Sequence, residues 1–263
     1  MRRFIVLLSV LCLLLAGCSE PKTEVTTAAV EATTAAATEA TTSAPVETTA
    51  TEAESTAADE GSDTPDFVYE DYAQQIERYY TAISEQWDES TYFENEMSAM
   101  AAYYYEGNAL DNVGFACIDL DGDDTQELVI GAIQNADKQP LVFEIWTLKD
   151  GEPEMLAQSG SRNRYYLQYA EDDKMWSVAN EAENGAANNA VYYLQLTEGK
   201  FEVMQGIVFD AAANEDEPWF MAYDLDWDVS NDSPIDEDTA NAVMEAGRNI
   251  YSAIEYIPYS QCR

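Results

Sequence analysis

The 263-residue chain contains no histidine. Without an imidazole there is no Ser–His or Cys–His relay, and zinc and copper sites lose their commonest ligand. Neither a GxSxG elbow nor a phosphate-binding P-loop occurs. Positive charge is scarce as well: 12 Lys and Arg stand against 51 Asp and Glu, for a formal net charge of −39. Such a surface repels nucleic acid and anionic lipid headgroups, so no nucleic acid is expected as a partner. It suits solubility and the binding of cations. High acidity with little Lys also fits a salt-adapted organism, so charge alone does not establish a metal. Residues 19–65 have no aromatic side chain at all. No apolar run reaches the roughly 20 residues that a membrane-spanning helix needs.

What is present divides the chain in three. Arg2 and Arg3 precede an apolar run over residues 4–15. This is the layout of a secretory signal. Its end, Leu15-Ala16-Gly17-Cys18, resembles a bacterial lipobox. That resemblance implies cleavage after residue 17, a lipid on Cys18, and a protein anchored to the outer face of the cytoplasmic membrane without spanning it. Residues 18–65 then form a tether. Thr and Ala make up most of it and Glu recurs at 24, 31, 39, 47 and 52. Such a segment cannot bury enough apolar surface to offset its ordering entropy. As a flexible coil its ends would lie roughly 35–40 Å apart. Its Thr residues are possible O-glycan acceptors, although a plain spacer is the simpler reading.

Residues 66–263 are expected to fold as one domain of the α+β class. Apolar residues at Tyr69, Tyr72, Ile76, Tyr79, Tyr80, Ile83 and Trp87 give helical spacing over 66–87. A second helix is expected over 92–105, with Phe93, Met97, Met100 and Tyr104 on one face. From Val113 the period changes to that of strands. They are expected over 113–119, 127–134, 141–148, 155–158, 164–169, 174–179, 190–196 and 200–209. The short connections leave no room for helical crossovers, so the sheet should be an antiparallel meander. Glu198-Gly199 is a two-residue hairpin turn. A last helix is expected over 236–254, with Asp236 as N-cap and Val243, Gly247, Ile250 and Ile254 facing inward. Of four Cys, Cys117 and Cys262 fall in this domain. They could form a disulfide in an extracytoplasmic setting, but free thiols that behave as small hydrophobes are the stronger expectation.

The chemistry is concentrated in IDLDGDDTQELVIG, residues 118–131. Like charges this close repel. A hard divalent cation needs several oxygens converging on it, and a tight loop supplies them from alternate residues. Asp119, Asp121 and Asp123 stand at positions 1, 3 and 5, Thr125 offers a carbonyl at 7, and Glu127 stands at 9. Gly122 permits the turn. Calcium is the expected ion, because magnesium demands stricter octahedral geometry. Position 12 is Ile130, so the loop is not an EF-hand. It resembles the strand–loop–strand calcium loops of FG-GAP, VCBS and related repeats, DxDxDGxx(D/E). It departs from them at position 6, where Asp124 replaces Gly. An acidic, metal-free turn is the competing reading. A second stretch, DLDWDVSND, repeats the spacing with Asp224, Asp226, Asp228 and Asp232. Leu225, Trp227 and Val229 alternate with the acids there, so a half-buried strand is expected instead.

With FACIDLDGDDTQELVIG, VFEIWTLKDGEPEML and SRNRYYLQY, residues 90–209 resemble poorly characterised surface lipoproteins of anaerobic Gram-positive bacteria, Firmicutes-like. The resemblance implies a cell-surface lipoprotein and supplies no activity. Two functions are therefore expected to compete. One is a non-enzymatic module, stabilised by calcium, that binds a wall polymer, a glycan or a protein. Tyr165, Tyr166, Tyr192, Tyr193 and Trp219 could stack on sugars, although core packing is expected for most of them. The alternative is an extracytoplasmic hydrolase that cleaves wall glycan with paired carboxylates.

Overall fold

Residues 113–118 and 128–132 are apolar at successive positions rather than alternate ones, and this pattern requires a strand covered on both faces. The computed structural model, which describes residues 70–133, 140–171, 174–185, 187–252 and 254–262, has both strands in that state. β1 (Val113–Ile118) and β2 (Glu127–Ala132) pair antiparallel, from Val113 opposite Ala132 to Ile118 opposite Glu127. Phe115, Leu128 and Ile130 enter one core, and Ala116 and Val129 enter a second on the opposite face. The signal, Cys18, the tether and the start of the first expected helix lie outside the described residues.

The strands continue as β3 (Leu141–Lys149), β4 (Glu152–Gln158), β5 (Asn163–Ala170), β6 (Met175–Glu183), β7 (Asn188–Thr197) and β8 (Lys200–Asp210). All the pairings are antiparallel, in the order β8-β7-β6-β5-β3-β2-β1. β4 and β5 share one edge of β3: β4 pairs with residues 144–149 and β5 with 141–142. The 198–199 turn closes β7 onto β8 with both residues at positive φ, 52° and 71°. Asp150 and Gly151 do the same between β3 and β4, at 54° and 82°. Three short strands went unforeseen: β9 (Trp219–Ala222) and β10 (Ser233–Pro234) extend one edge, and β11 (Ile257–Pro258) caps β1 at the other. Among the described residues the domain is mostly antiparallel sheet, with a helix cluster near its N-terminal end and a C-terminal helix.

The first helix, α1 (Ala73–Ser84), buries Ile76, Tyr79, Ala82 and Ile83 against the first core. The single helix expected over 92–105 is instead broken. α2 (Glu89–Glu94) stops at Asn95, Glu96 adopts a φ of 54°, and a separate 3-10 helix runs Ala99–Tyr104. Ser98 is the cause, because its hydroxyl caps the new helix at Met100 N–H and also donates to the Ser159 carbonyl. A one-turn helix, α3 (Ala109–Asn112), leads into β1.

The last helix, α4 (Glu237–Arg248), begins as expected, with the Asp236 carboxylate accepting from Thr239 N–H at 2.7 Å. It ends six residues early. Gly247 lies so close to the Tyr193 ring that a Cβ would collide with it, and its carbonyl accepts from Gln168 Nε2. The chain then leaves the helix so that Ser252 N–H can reach the Leu167 carbonyl. Ile250, expected to face inward, is exposed. Cys117 and Cys262 are both free thiols packed against the first core. No helix among the described residues is long and apolar enough to cross a membrane.

Candidate metal centre

The acidic loop is the connection from β1 to β2, so both its ends are pinned by strand pairing. Asp119 organises it. One carboxylate oxygen accepts from Gly122 N–H at 2.7 Å and Asp123 N–H at 3.2 Å, and the other accepts from Asp124 N–H at 3.2 Å. Gly122 and Asp124 take positive φ, 78° and 71°. Position 6 therefore keeps the left-handed conformation even though it is Asp, a residue that tolerates it. Thr125 N–H donates to Asp123 Oδ1 at 2.7 Å.

The first core sets the far side. Glu127 is 1% exposed. Its Oε2 accepts from Leu120 N–H and its Oε1 from the Thr147 hydroxyl, both at 2.9 Å. One carboxylate oxygen from each of Asp119, Asp121 and Glu127 lies within 4.8 Å of the others. Two oxygens bound to one calcium at about 2.4 Å can be no more than about 4.8 Å apart, so the three carboxylates are spaced as ligands of a single ion. Asp121 Oδ1 is buried and receives no hydrogen bond. Asp123 lies on the same loop but outside this converging set, engaged with Thr125.

The electrostatics match the geometry. Burial, reinforced by the charges of Asp121 and Asp123, pushes the Glu127 carboxyl up to about 7 against the opposing bonds from Leu120 and Thr147. Burial first, then the charges of Asp123 and Asp119, raises Asp121 against opposing backbone N–H bonds from Asp123 and Asp121 itself. Neither ion pair found among the described residues involves these carboxylates.

Glu144 on β3 shows what a satisfied buried carboxylate looks like. It is also 1% exposed, but it accepts from Ser98 N–H at 2.8 Å, Trp146 Nε1 at 2.9 Å and Gln158 Nε2 at 3.2 Å. These three donors are N–H groups of the protein, and among the described residues Glu144 belongs to no cluster of three acidic ligands. Sequence reasoning missed Glu144, as it missed Thr147. The one available signal is a charge placed inside the apolar run LVFEIW.

The second acidic stretch is not the strand its alternation suggested. Residues 224–228 are a bent loop that leads into a 3-10 helix, Val229–Asn231. Asp224, Asp226 and Asp228 accept from the N–H of Asp226, Asp228 and Ser230 in turn, at 3.3, 2.9 and 3.0 Å. Each carboxylate bends the backbone two residues ahead of it, a local alternative to the sheet ladder. The hydrogen bonds from Ser230 hold Asp228 below the usual carboxylate range.

The aromatic set is mostly structural. Tyr166 and Tyr192 are buried, and Tyr165, Tyr193 and Trp219 are half-buried. Tyr166 stacks on Tyr251 with centroids 4.7 Å apart, and Trp219 meets Phe209 edge-on. No protein-family model, curated protein or solved structure matches the chain.

Proposed function

We propose that the protein is a lipid-anchored surface module of the α+β class, held on the outer face of the cytoplasmic membrane through Cys18. Its domain is stapled by calcium at Asp119, Asp121 and Glu127, with Asp123 and the Thr125 carbonyl completing the shell. It works by binding a wall polymer, glycan or protein rather than by catalysis. One observation carries the metal reading: three carboxylates converge to within 4.8 Å, and a buried oxygen of Asp121 has no donor. An ordinary acidic turn would place those groups in water or bond them to its own backbone.

The anchoring rests on the Leu15-Ala16-Gly17-Cys18 sequence and on a tether with no aromatic side chain. Two experiments test the reading. Calcium titrated into chelator-stripped protein should bind at one saturable site and raise the melting temperature. Fatty-acid labelling in a bacterial host should mark the wild type and fail in Cys18→Ala. Cleavage of wall glycan by the pure protein, abolished by one carboxylate substitution outside 119–127, would overturn the binding reading in favour of a hydrolase.

A further inference from the structure

The described part of the chain has seven Lys and Arg residues, and three of them, Arg162, Arg164 and Arg248, line a single cavity of about 350 Å³. In a chain of net charge −39 this concave site gathers three of the seven described cations. Its floor is fixed by sheet register. Arg164 on β5 lies opposite Glu181 on β6, and Glu181 lies opposite Val191 on β7, so all three share a face. Arg162 comes from the turn before β5. Glu183, two residues past Glu181, lies on the same face at the rim.

The third Arg is brought in from α4 and held there. Gly247 is locked against Tyr193 and Gln168, and Tyr251 stacks on Tyr166, which fixes the chain on either side of Arg248. Arg248 Nε bonds Glu181 Oε1 at 3.2 Å, and the Tyr251 hydroxyl donates to the same oxygen at 3.3 Å. That contact engages Nε and points to a guanidinium whose forked end remains for a ligand. Arg164 spends one Nη2 bond on the Ser161 carbonyl, at 3.0 Å. Three guanidinium groups against two carboxylates leave a net positive pocket. Planar guanidinium forks match the oxygens of carboxylates and phosphates. The volume lies at the lower end of the range for small-molecule sites, about 300–1,000 Å³.

We propose that this pocket is a binding site for an oxyanion carried on a sugar-sized molecule, a carboxylate or a phosphate. It gives a ligand class to the binding module described above, and in that respect rests on that reading. The pocket itself is built from β5, β6, β7 and α4 and owes nothing to the calcium loop. The acidity of the remaining surface acts as a filter. It repels extended polyanions and leaves a short-range, geometrically defined contact for a compact one.

The test is a calorimetric titration of glucuronate, inorganic phosphate and glucose into the metal-free protein at 0.15 M salt. Separate arms for the two anions decide which group the pocket prefers. One-to-one binding of either anion is expected, with none for glucose. The double substitution Arg162→Gln/Arg164→Gln should weaken binding at least tenfold, because charge-assisted bonds are lost. Glu183→Gln gives a readout of opposite sign that does not depend on how the double variant folds: with a competing carboxylate removed, binding should tighten several-fold. Absence of binding by both anions would overturn the proposal. So would anion binding that Glu183→Gln fails to tighten and the double variant fails to weaken, or equal binding of glucose. Because the titration uses metal-free protein, a failed calcium experiment leaves its outcome intact.

Discussion

Two loops in this protein carry carboxylates at positions 1, 3, 5 and 9, and their environments separate them. In residues 119–127 the ninth position is Glu127, 1% exposed beneath the β1–β2 connection. In residues 224–232 it is Asp232, half-buried at the end of a loop whose acids at 1, 3 and 5 are exposed. The second loop satisfies its carboxylates one after another with its own backbone N–H groups. The first also uses Asp119 and Asp123 in this way, but it leaves Asp121 Oδ1 buried without a donor and presses Glu127 against the other acids. Spacing places charges near one another in both loops. Burial decides which loop cannot balance them internally.

The sharpest way to break this comparison is the same substitution at the ninth position of each loop. Glu127→Ala strips acceptors from two buried donors, Leu120 N–H and the Thr147 hydroxyl. At about 1–3 kcal/mol for each orphaned donor, the domain should lose on the order of 4 kcal/mol, read by urea denaturation in chelator. Asp232→Ala should change stability by less than about 0.5 kcal/mol, as surface changes do. It removes a carboxyl that burial and the neighbouring charges of Asp224, Asp226 and Asp228 already disfavour as an anion.

Next in size is the pH dependence of the metal-free protein. The folded Glu127 carboxyl titrates near 7 and its ordinary value is 4.5. Between those values the folded state holds a proton that the unfolded state has lost. The stability that Glu127 contributes is therefore fully present below about pH 4.5 and is lost as pH rises through 7, by on the order of 3 kcal/mol. If calcium takes the place of that proton, as proposed, its stabilising effect should be largest above pH 7, and binding at pH 6 should release protons to the buffer. Glu127→Gln should flatten the profile. A metal-free stability that rises between pH 5 and 7 would place Glu127 in a different environment.

Calcium at one hundred times its dissociation constant should add about 2.7 kcal/mol. For a domain of this size that is a rise of about 5–10 °C in melting temperature. Like Asp232→Ala, a change at the cap of the second loop should have a small effect. Asp228→Ala removes the cap on Ser230 N–H and should lower the melting temperature only slightly, with calcium stoichiometry unchanged.

How far the sequence foretold these differences depends on whether the decisive contact is local. The acids of 119–127 and their loop were legible, because alternate Asp residues between two apolar runs admit few other conformations. Thr147, 20 residues beyond Glu127, was not, since only strand pairing brings it close. The break in the 92–105 helix was hidden for the same reason: Ser98 is held by Ser159 and Glu144, both far along the chain. The error at 224–232 was of another kind. Alternation of Leu225, Trp227 and Val229 read as a strand, but Asp at each intervening position offers its neighbours' N–H groups a partner closer than any ladder. The α4 helix was overextended because its apolar spacing continues to Ile254, while the docking of Gly247 on Tyr193 cuts it short. The arginine pocket left a fainter trace. Arg162 and Arg164 are two residues apart in a chain with few cations, but Arg248 joins them only through the packing of α4.

The central claim is that burial, not spacing, makes one of the two acidic loops a calcium site. Its most direct test is calorimetric titration of calcium into the chelator-stripped protein, alongside Asp121→Ala and Asp226→Ala. The account predicts one saturable site, lost in Asp121→Ala and retained in Asp226→Ala. Absence of binding at millimolar calcium, or binding that survives Asp121→Ala, would contradict it.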